Sequence, residues 1–503
     1  MSSGIRFLVS TTVFCLLLIL SLSLLHLHSS SSSYTDSFPG PTAWLPLLQR
    51  HASAAKATAA TTVPVPPPLP PFPSGPTRTN VSHLFFGLGG SAKTWYTRHL
   101  YSGLWWVPGT TRGFVWLDRQ PPANFSWPDD SPPYRLSSGP ETGLMHRLSL
   151  SSYRWSPSQR IARIVKESYD LVRDGDEGEV RWFVMGDDDT VFFVENLVRV
   201  LSRYDYREMW YVGGVSESVE QDVRHSYNTA YGGAGFAVSY PLAEELAKVL
   251  DGCIERYRSY YGSDEKVAAC VSEIGVPMTR ELGFHQLDIK DDPYGLLAAH
   301  PIAPLVSLHH LDYVKPLFPN RTQLESLKIL MGAYWADPAR TLQQSFFYDK
   351  TRKWSVSISW GYTVQLYPFL VIAEELEVPL LTFRTWRWNQ GPFVFNTRPL
   401  DPDHCKQPIA YYLDQVEEVE DGMTLTTYRQ GTVGGLANSC NRTYYENARR
   451  IDRVLVTAEK LEIREGMKAP RRQCCELASG KDKSIMQVTL RRCKPGEAML
   501  VWE

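Results

Sequence analysis

Trp182–Phe193 reads WFVMGDDDTVFF. An uncharged run ends in three consecutive aspartates, Asp187, Asp188 and Asp189, and a second apolar run follows at once. Adjacent carboxylates repel one another, and each would cost several kcal/mol, roughly, if buried without a partner. Either the triplet is a solvated acidic turn, or a positive charge sits among the three. The flanking sequence helps to decide. VRWFVMG has the length and composition of a buried strand, so the aspartates stand at its carboxyl end. Upstream, SPSQRIARIVKESYDLVRDG places Ser156 at an N-cap and Pro157 at the first helical position, with Ile161, Ile164, Val165 and Val172 on one face and Gly175 as a stop. Downstream, VENLVRVL reads as helix, MWYVGGV as strand, and GFAVSYPLAEELAKVL as strand then helix. SHLFFGLGG and RGFVWLD supply two earlier strands. This alternation predicts an α/β fold with a mostly parallel sheet covered on both faces. Ligand sites in such sheets gather beyond the carboxyl ends of the strands, where the aspartates lie.

The chain has 503 residues and a net charge of −2, so no global basic field points to nucleic acid. Near the N-terminus, Phe7 to Leu25 gives 19 residues without a charge. At helical rise that is roughly 28 Å, close to the hydrocarbon thickness of a bilayer. Arg6 precedes this span and Arg50 is the next basic residue, which orients residues 1–6 as a cytosolic tail, 7–25 as a signal anchor and the remainder as lumenal. Residues 26–79 form a stem that contains PVPPPLPPFPSGP, eight prolines in 13 residues and therefore extended. Sequons at Asn80, Asn124, Asn320 and Asn441 agree with a lumenal body. So do its cysteines, Cys253, Cys270, Cys405, Cys440, Cys474, Cys475 and Cys493. Their odd number leaves one thiol free or intermolecular, and the adjacent Cys474 and Cys475 are expected to pair with different partners. Beyond about Pro316, RKWSVSISWGYTVQLYP and SIMQVTLRRCKPGEAMLVW alternate β-branched, aromatic and polar residues, and helical patterns thin out. Residues 316–503 are expected to be rich in strand.

Three further stretches carry chemistry. TAYGGAGFAVS places Gly232, Gly233, Ala234 and Gly235 before a strand, where backbone could approach a ligand closely. YYGSDEKVAACVSEIGV sets Asp264 and Glu265 at a loop-to-helix junction, and LVSLHHLDYV brings His309 and His310 after apolar sequence. Taken singly each has an ordinary explanation: a tight turn, acidic partners of a helix dipole, and structural histidines. Two hard oxygen donors joined by an imidazole would suit Mn²⁺ or Mg²⁺.

The succession DDD, GGAGF, an acidic pair and HHLD resembles the fringe-like branch of inverting β-1,3-glycosyltransferases, most closely the plant fringe-related proteins, which also share FHQLD and PLVSLHHLD. The resemblance covers roughly residues 80 to 315. It implies a glycosyltransferase A-type domain, a type II Golgi membrane protein, Mn²⁺ (with Mg²⁺ as a substitute), a UDP-sugar donor and a glycan acceptor. Carried over by position, Asp187 and Asp189 with His310 would hold the metal. Asp188, Gly232, Gly233, Ala234 and Gly235 would line the donor site, and the acidic pair would contain the catalytic base. The family carries two aspartates where this chain has Asp264-Glu265, so Asp264 is preferred and Glu265 stays open. The competing readings are a non-catalytic lumenal glycan-binding or scaffold protein and a calcium-binding adhesion protein. The latter would need more widely spaced acidic ligands than DDD offers.

Overall fold

In a computed structural model of the chain, the described residues are 78–137, 156–175, 177–386, 396–431, 440–461, 470–478 and 482–499. The proposed anchor, 7–25, and the proline-rich stretch lie outside them. Among the described residues no helix is long and apolar enough to cross a membrane.

The first half contributes β1 (Leu84–Gly89), β2 (Gly113–Leu117), β3 (Tyr134–Leu136), β4 (Trp182–Asp187), β5 (Val191–Phe192), β6 (Tyr211–Gly213), β7 (Phe236–Ser239), β8 (Met278–Arg280), β9 (Phe284–His285), β10 (Ile289–Asp291) and β11 (Ser307–Leu308). Seven of these form one sheet in the order β3-β2-β1-β4-β7-β6-β8. The pairs β3/β2, β2/β1, β1/β4 and β6/β8 are parallel. β7 runs antiparallel to both β4 and β6, so the sheet is mixed rather than uniformly parallel in its centre. From β1 the chain goes first to β2 and β3 on one side and then returns to β4 on the other. The carboxyl ends of β1 and β4 therefore flank a topological switch point.

The helices are α1 (Trp95–Ser102), α2 (Pro157–Asp174), α3 (Val194–Leu201), α4 (Val219–His225), α5 (Tyr240–Arg256) and α6 (Ser263–Ile274). α2 starts as its sequence demands. Ser156 Oγ accepts from the Gln159 amide at 3.3 Å, and Gln159 Oε1 accepts from the Ser156 amide at 3.0 Å, a reciprocal cap with Pro157 just inside it. Its Ile164, Val165 and Val172 join Leu246 and Leu250 of α5 and Val267 and Val271 of α6 in a core on one face of the sheet.

The second half adds α7 (Tyr294–Ala298), α8 (Gln323–Ala336), α9 (Ala373–Glu377) and α10 (Thr443–Arg449). Its strands are β12 (Gln344–Asp349), β13 (Trp354–Ser359), β14 (Thr363–Tyr367), β15 (Phe383–Thr385), β16 (Ile409–Val419), β17 (Met423–Gly431), β18 (Arg453–Glu459), β19 (Cys474–Ala478) and β20 (Ile485–Arg491). All but β15 form an eight-stranded sheet, antiparallel except for the β18/β20 pair. The β-rich expectation for this half holds. α8 is the exception, since it is apolar around most of its circumference and gives no amphipathic stripe to read. A single hydrophobic core links the other face of the first sheet (Leu84, Phe86, Val184) through α8 (Leu327, Leu330) to the second sheet (Val356, Tyr411, Val488).

Three disulfides are present: Cys253–Cys270, Cys405–Cys440 and Cys474–Cys493. Cys475 is a free thiol, which corrects the expectation that both adjacent cysteines are paired. In strand β19 neighbouring side chains point to opposite faces, so only Cys474 meets Cys493, and burial pushes the Cys475 thiol up to about 12. Cys253–Cys270 ties α5 to α6 over a separation of 17 residues. Replacing both by alanine is expected to lower stability by about 2–3 kcal/mol, read as a lower denaturant midpoint with a somewhat steeper slope, because the uncrosslinked chain unfolds to a more open state.

Candidate active site

Asp187 ends β4, and the chain turns sharply through Asp188 and Asp189 into β5. Thr190 closes the turn. Its Oγ1 accepts from the Asp187 amide at 2.8 Å and donates to the Gly233 carbonyl at 2.7 Å, joining DDD to GGAGF. The three carboxylates then separate. Asp188 turns aside to accept from Thr94 Oγ1 at 2.7 Å and from Arg98 at 2.7 Å. Asp189 is 1% exposed and meets Arg98 at 3.0 Å and His309 Nε2 at 3.2 Å. Asp187 keeps a third of its side chain exposed and lies 3.8 Å from the same His309 nitrogen. Arg98, on α1, also reaches Asp312 at 3.2 Å.

Strand register explains why His309 arrives there. β11 lies between β5 and β9, with Leu308 opposite Val191 and Ser307 opposite Phe192. The next residue, His309, thus stands beside the end of the DDD turn. Its ring rests on the bare backbone of Gly233, where a Cβ would come 2.0 Å from His309 Cε1. Gly233 therefore has to be glycine, and Gly235, at φ +85°, has a separate conformational reason. Ala234 is pinned on both sides. Its amide donates to Gln286 at 2.7 Å, and its carbonyl accepts from Ser307 Oγ.

His310, expected as the third metal donor, is placed differently. The backbone turns left-handed there, at φ 54°, and its Nδ1 meets Asp288 at 3.1 Å. Its ring stacks on His309 at 3.9 Å on one contact and on Trp386 at 4.4 Å on another. Asp187, Asp189 and His309 form a group whose donor atoms all fall within 4.8 Å of one another. The left-handed turn at His310 lays its ring beside that of His309 and against Asp288 instead of the acidic turn, and HH alone does not encode that turn.

Electrostatics separates the two outer aspartates. Burial, aided by the neighbouring Asp189, Asp188 and Asp264, pushes Asp187 up to about 7 against the pull of His309. Burial would raise Asp189 as well, but His309 and Arg98 overcome it and hold its carboxyl well below the usual range. Burial opposes charge on His309, yet Asp189 and Asp187 raise it to about 9. Neither Asp189 oxygen nor His309 Nδ1 has a well-directed hydrogen-bond partner among the described residues. Two carboxylates and an imidazole, buried and incompletely satisfied, form a donor set that fits a divalent cation of the Mn²⁺ or Mg²⁺ kind.

The acidic pair at the start of α6 divides its tasks. Asp264 turns toward the site: its Oδ2 accepts from the Gly232 amide at 3.0 Å, and together with Asp187 and Gly232 it lines a small cavity. Burial raises its pKa, opposed by the amides of Gly232 and Glu265. Glu265 turns away, accepting from the Gly262 amide at 2.7 Å and meeting His225 Nδ1 at 2.7 Å. The sequon asparagines Asn80, Asn124, Asn320 and Asn441 are all exposed.

Sequence reasoning missed Arg98, His309 as the inward histidine, and Trp386, which follows β15 in the second half and is brought to the first by the pairing of β15 with β10. An isolated arginine on a short helix gives no local signal.

Residues 221–475 match the family model described as "Protein of unknown function, DUF604". The chain belongs to the DUF604 family. The match begins in α4 and takes in GGAGF, the acidic pair, HHLD and most of the second sheet, while DDD precedes it. The chain is also 31% identical over 140 residues to a mouse protein named beta-1,3-glucosyltransferase. That stretch spans 27% of this chain and 27% of the mouse protein.

Gly233→Ala should expel the His309 ring. The imidazole, charged up to about pH 9 in the native chain, should then titrate near its ordinary value of about 6.5. An NMR titration of the histidine ring nitrogens reads this directly, and a stability loss of about 1–3 kcal/mol should accompany it.

Proposed function

We propose that this chain is a glycosyltransferase that moves a sugar from a UDP-sugar to a hydroxyl of a glycan or glycoconjugate with inversion, dependent on Mn²⁺ or Mg²⁺, in a β-1,3 linkage. The observation that carries the reading is the convergence of Asp187, Asp189 and His309 beside Asp264, beyond the strand ends at the switch point of the first sheet. The likeness to a beta-1,3-glucosyltransferase supports the class of reaction. The mixed α/β sheet is in keeping with an A-type glycosyltransferase domain. The apolar stretch 7–25 and the exposed sequons favour a type II Golgi protein with a lumenal catalytic domain.

Asp187, Asp189 and His309 would hold the metal, which when bound neutralises charge on the diphosphate of the leaving UDP. The protein's own groups do the rest. Asp264, made more basic by burial, accepts the proton of the acceptor hydroxyl. As the hydroxyl oxygen forms its bond to the anomeric carbon, the bond from that carbon to the β-phosphate oxygen breaks on the opposite face, and its electron pair leaves with UDP. Arg98 keeps Asp188 and Asp189 in place so that Asp187 and Asp189 stay convergent. The bare backbone of Gly233 makes room for the His309 ring that would complete the donor set.

Calorimetry of the full chain with UDP-Glc, UDP-Gal and UDP-GlcNAc should show binding of one donor that requires Mn²⁺ and is lost in Asp189→Ala. Protons and metal compete for Asp187 and His309, whose pKa values are raised to about 7 and about 9, so Mn²⁺ affinity should rise from pH 6 to pH 8. A folded chain that binds no sugar nucleotide at all would return the lead to the scaffold reading. In turnover, Asp264→Asn should lose about 10²- to 10⁴-fold in kcat with donor binding intact. Glu265→Gln should lose far less, and equal losses would leave the base unassigned between the two.

A further inference from the structure

Exposed aromatic side chains are not scattered over this protein. Among the described residues the large exposed aromatics are Tyr96, Tyr227, Tyr260, Tyr261, Tyr313, Trp335 and Tyr444, and the first five lie in the segments that carry Arg98, His225, Asp264 and Asp312. Tyr96 is on α1 with Arg98, and Tyr313 follows Asp312, to which Arg98 is paired. Tyr227, Tyr260 and Tyr261 border His225 and the start of α6. Tyr261 is the most open of them, at 81% exposure.

An exposed tyrosine on a loose loop would mean little, but this loop is built. Lys266, fully buried, sends its ammonium group back to the carbonyls of Tyr260 and Gly262, one on each side of Tyr261, and to Ser158 Oγ at 3.1 Å. Burying a lysine is costly, and here its charge is spent on backbone carbonyls. Glu265 holds the Gly262 amide at 2.7 Å and His225 at 2.7 Å, and the His225 ring lies roughly parallel to that of Tyr261 at 6.0 Å. Every anchor in this set fixes the backbone or the rear of the ring and leaves the remainder of Tyr261 to solvent. Three residues further on, Asp264 points inward.

We propose that Tyr261, backed by His225 and set by Lys266 and Glu265, is the platform of an acceptor subsite that takes a pyranose through the C–H face of its ring. The inference rests on the transferase reading. Aromatic rings pack against apolar faces while their edges and hydroxyls stay wet, which matches a sugar that shows C–H groups on one face and hydroxyls around its rim. The acidic pair then has two roles. Asp264 serves the reacting hydroxyl, and Glu265 holds the wall that positions the sugar bearing it. That division accounts for a glutamate at the second position, whose longer side chain reaches both the Gly262 amide and His225.

The test is saturation-transfer NMR on the full chain with Mn²⁺ and UDP present, using methyl β-glucopyranoside, methyl β-galactopyranoside and methyl α-fucopyranoside as probes. Transfer to the ring C–H protons of at least one glycoside is expected. Its affinity should fall roughly tenfold or more in Tyr261→Ala and stay near the native value in Tyr261→Phe. UDP and Mn²⁺ affinity, measured by calorimetry on the same samples, should be equal in all three proteins and shows that the variants are folded. Glycoside binding that is unchanged in Tyr261→Ala, or absent from the native chain, overturns the proposal. Failure of the transferase reading looks different, because UDP and Mn²⁺ then fail to bind the native chain whatever the glycosides do.

Discussion

Arg98 makes the acidic turn possible. One guanidinium touches Asp188, Asp189 and Asp312, and burial of the group is outweighed by these charges, so it stays protonated at any accessible pH. Without it, Asp188 would keep only a hydroxyl and an amide, and Asp189 only His309, against each other's repulsion. With it, Asp188 is drawn off to Thr94 and Arg98, and the remaining pair faces one point. The same contact fixes α1 to the loop after β11, because Asp312 also accepts from Tyr101. Arg98 therefore connects the first strand's return loop to the segment that delivers the histidines.

Everything else at the site is arranged by three short strands. β5, β11 and β9 together hold only six residues, yet they bring DDD, HHLD and FHQLD side by side. Each motif then supports another. Thr190 bonds to Gly233, Gln286 to Ala234, Ser307 to Ala234, and Asp288 meets both Ser216 and His310. The second half of the chain takes part as well, since Trp386 closes the stack behind His310 and His309. A positioning role for this half follows from that contact, separate from any contribution of its large sheet.

Much of this could be read in the sequence. α2 is announced by Ser156, Pro157 and Gly175, and β4 by an unbroken apolar run, because caps and composition are local signals. The acidic cluster and the glycine turn were likewise legible as places where chemistry could occur. What was not legible depends on pairing across distance. The choice of His309 over His310 follows from where β11 ends and the chain turns left-handed, the reversal of β7 belongs to the route of the chain, and the partner of Cys474 is set by β19 lying beside β20. Asp264 and Glu265 were found together but could not be separated until Gly232 and His225 were seen to claim them. α8 escaped because its exposed positions, Glu325, Lys328 and Trp335, mix charge with a large aromatic and leave no polar stripe to read.

The unbroken core has a consequence for how the chain is made. Apolar residues of the first sheet, such as Leu84 and Val184, belong to the same packed cluster as Met486, Val488 and Leu490 near the other end. At usual translation rates of about 5–20 residues per second, roughly 10 to 35 s separate the emergence of the last site motif from that of the final strands. During that interval the residues meant to face α8 and the second sheet have nothing to cover them. The first sheet can form its hydrogen bonds early, but its face toward α8 is covered only once the last strands have been made. Until then the chain presents the kind of apolar surface that chaperones hold.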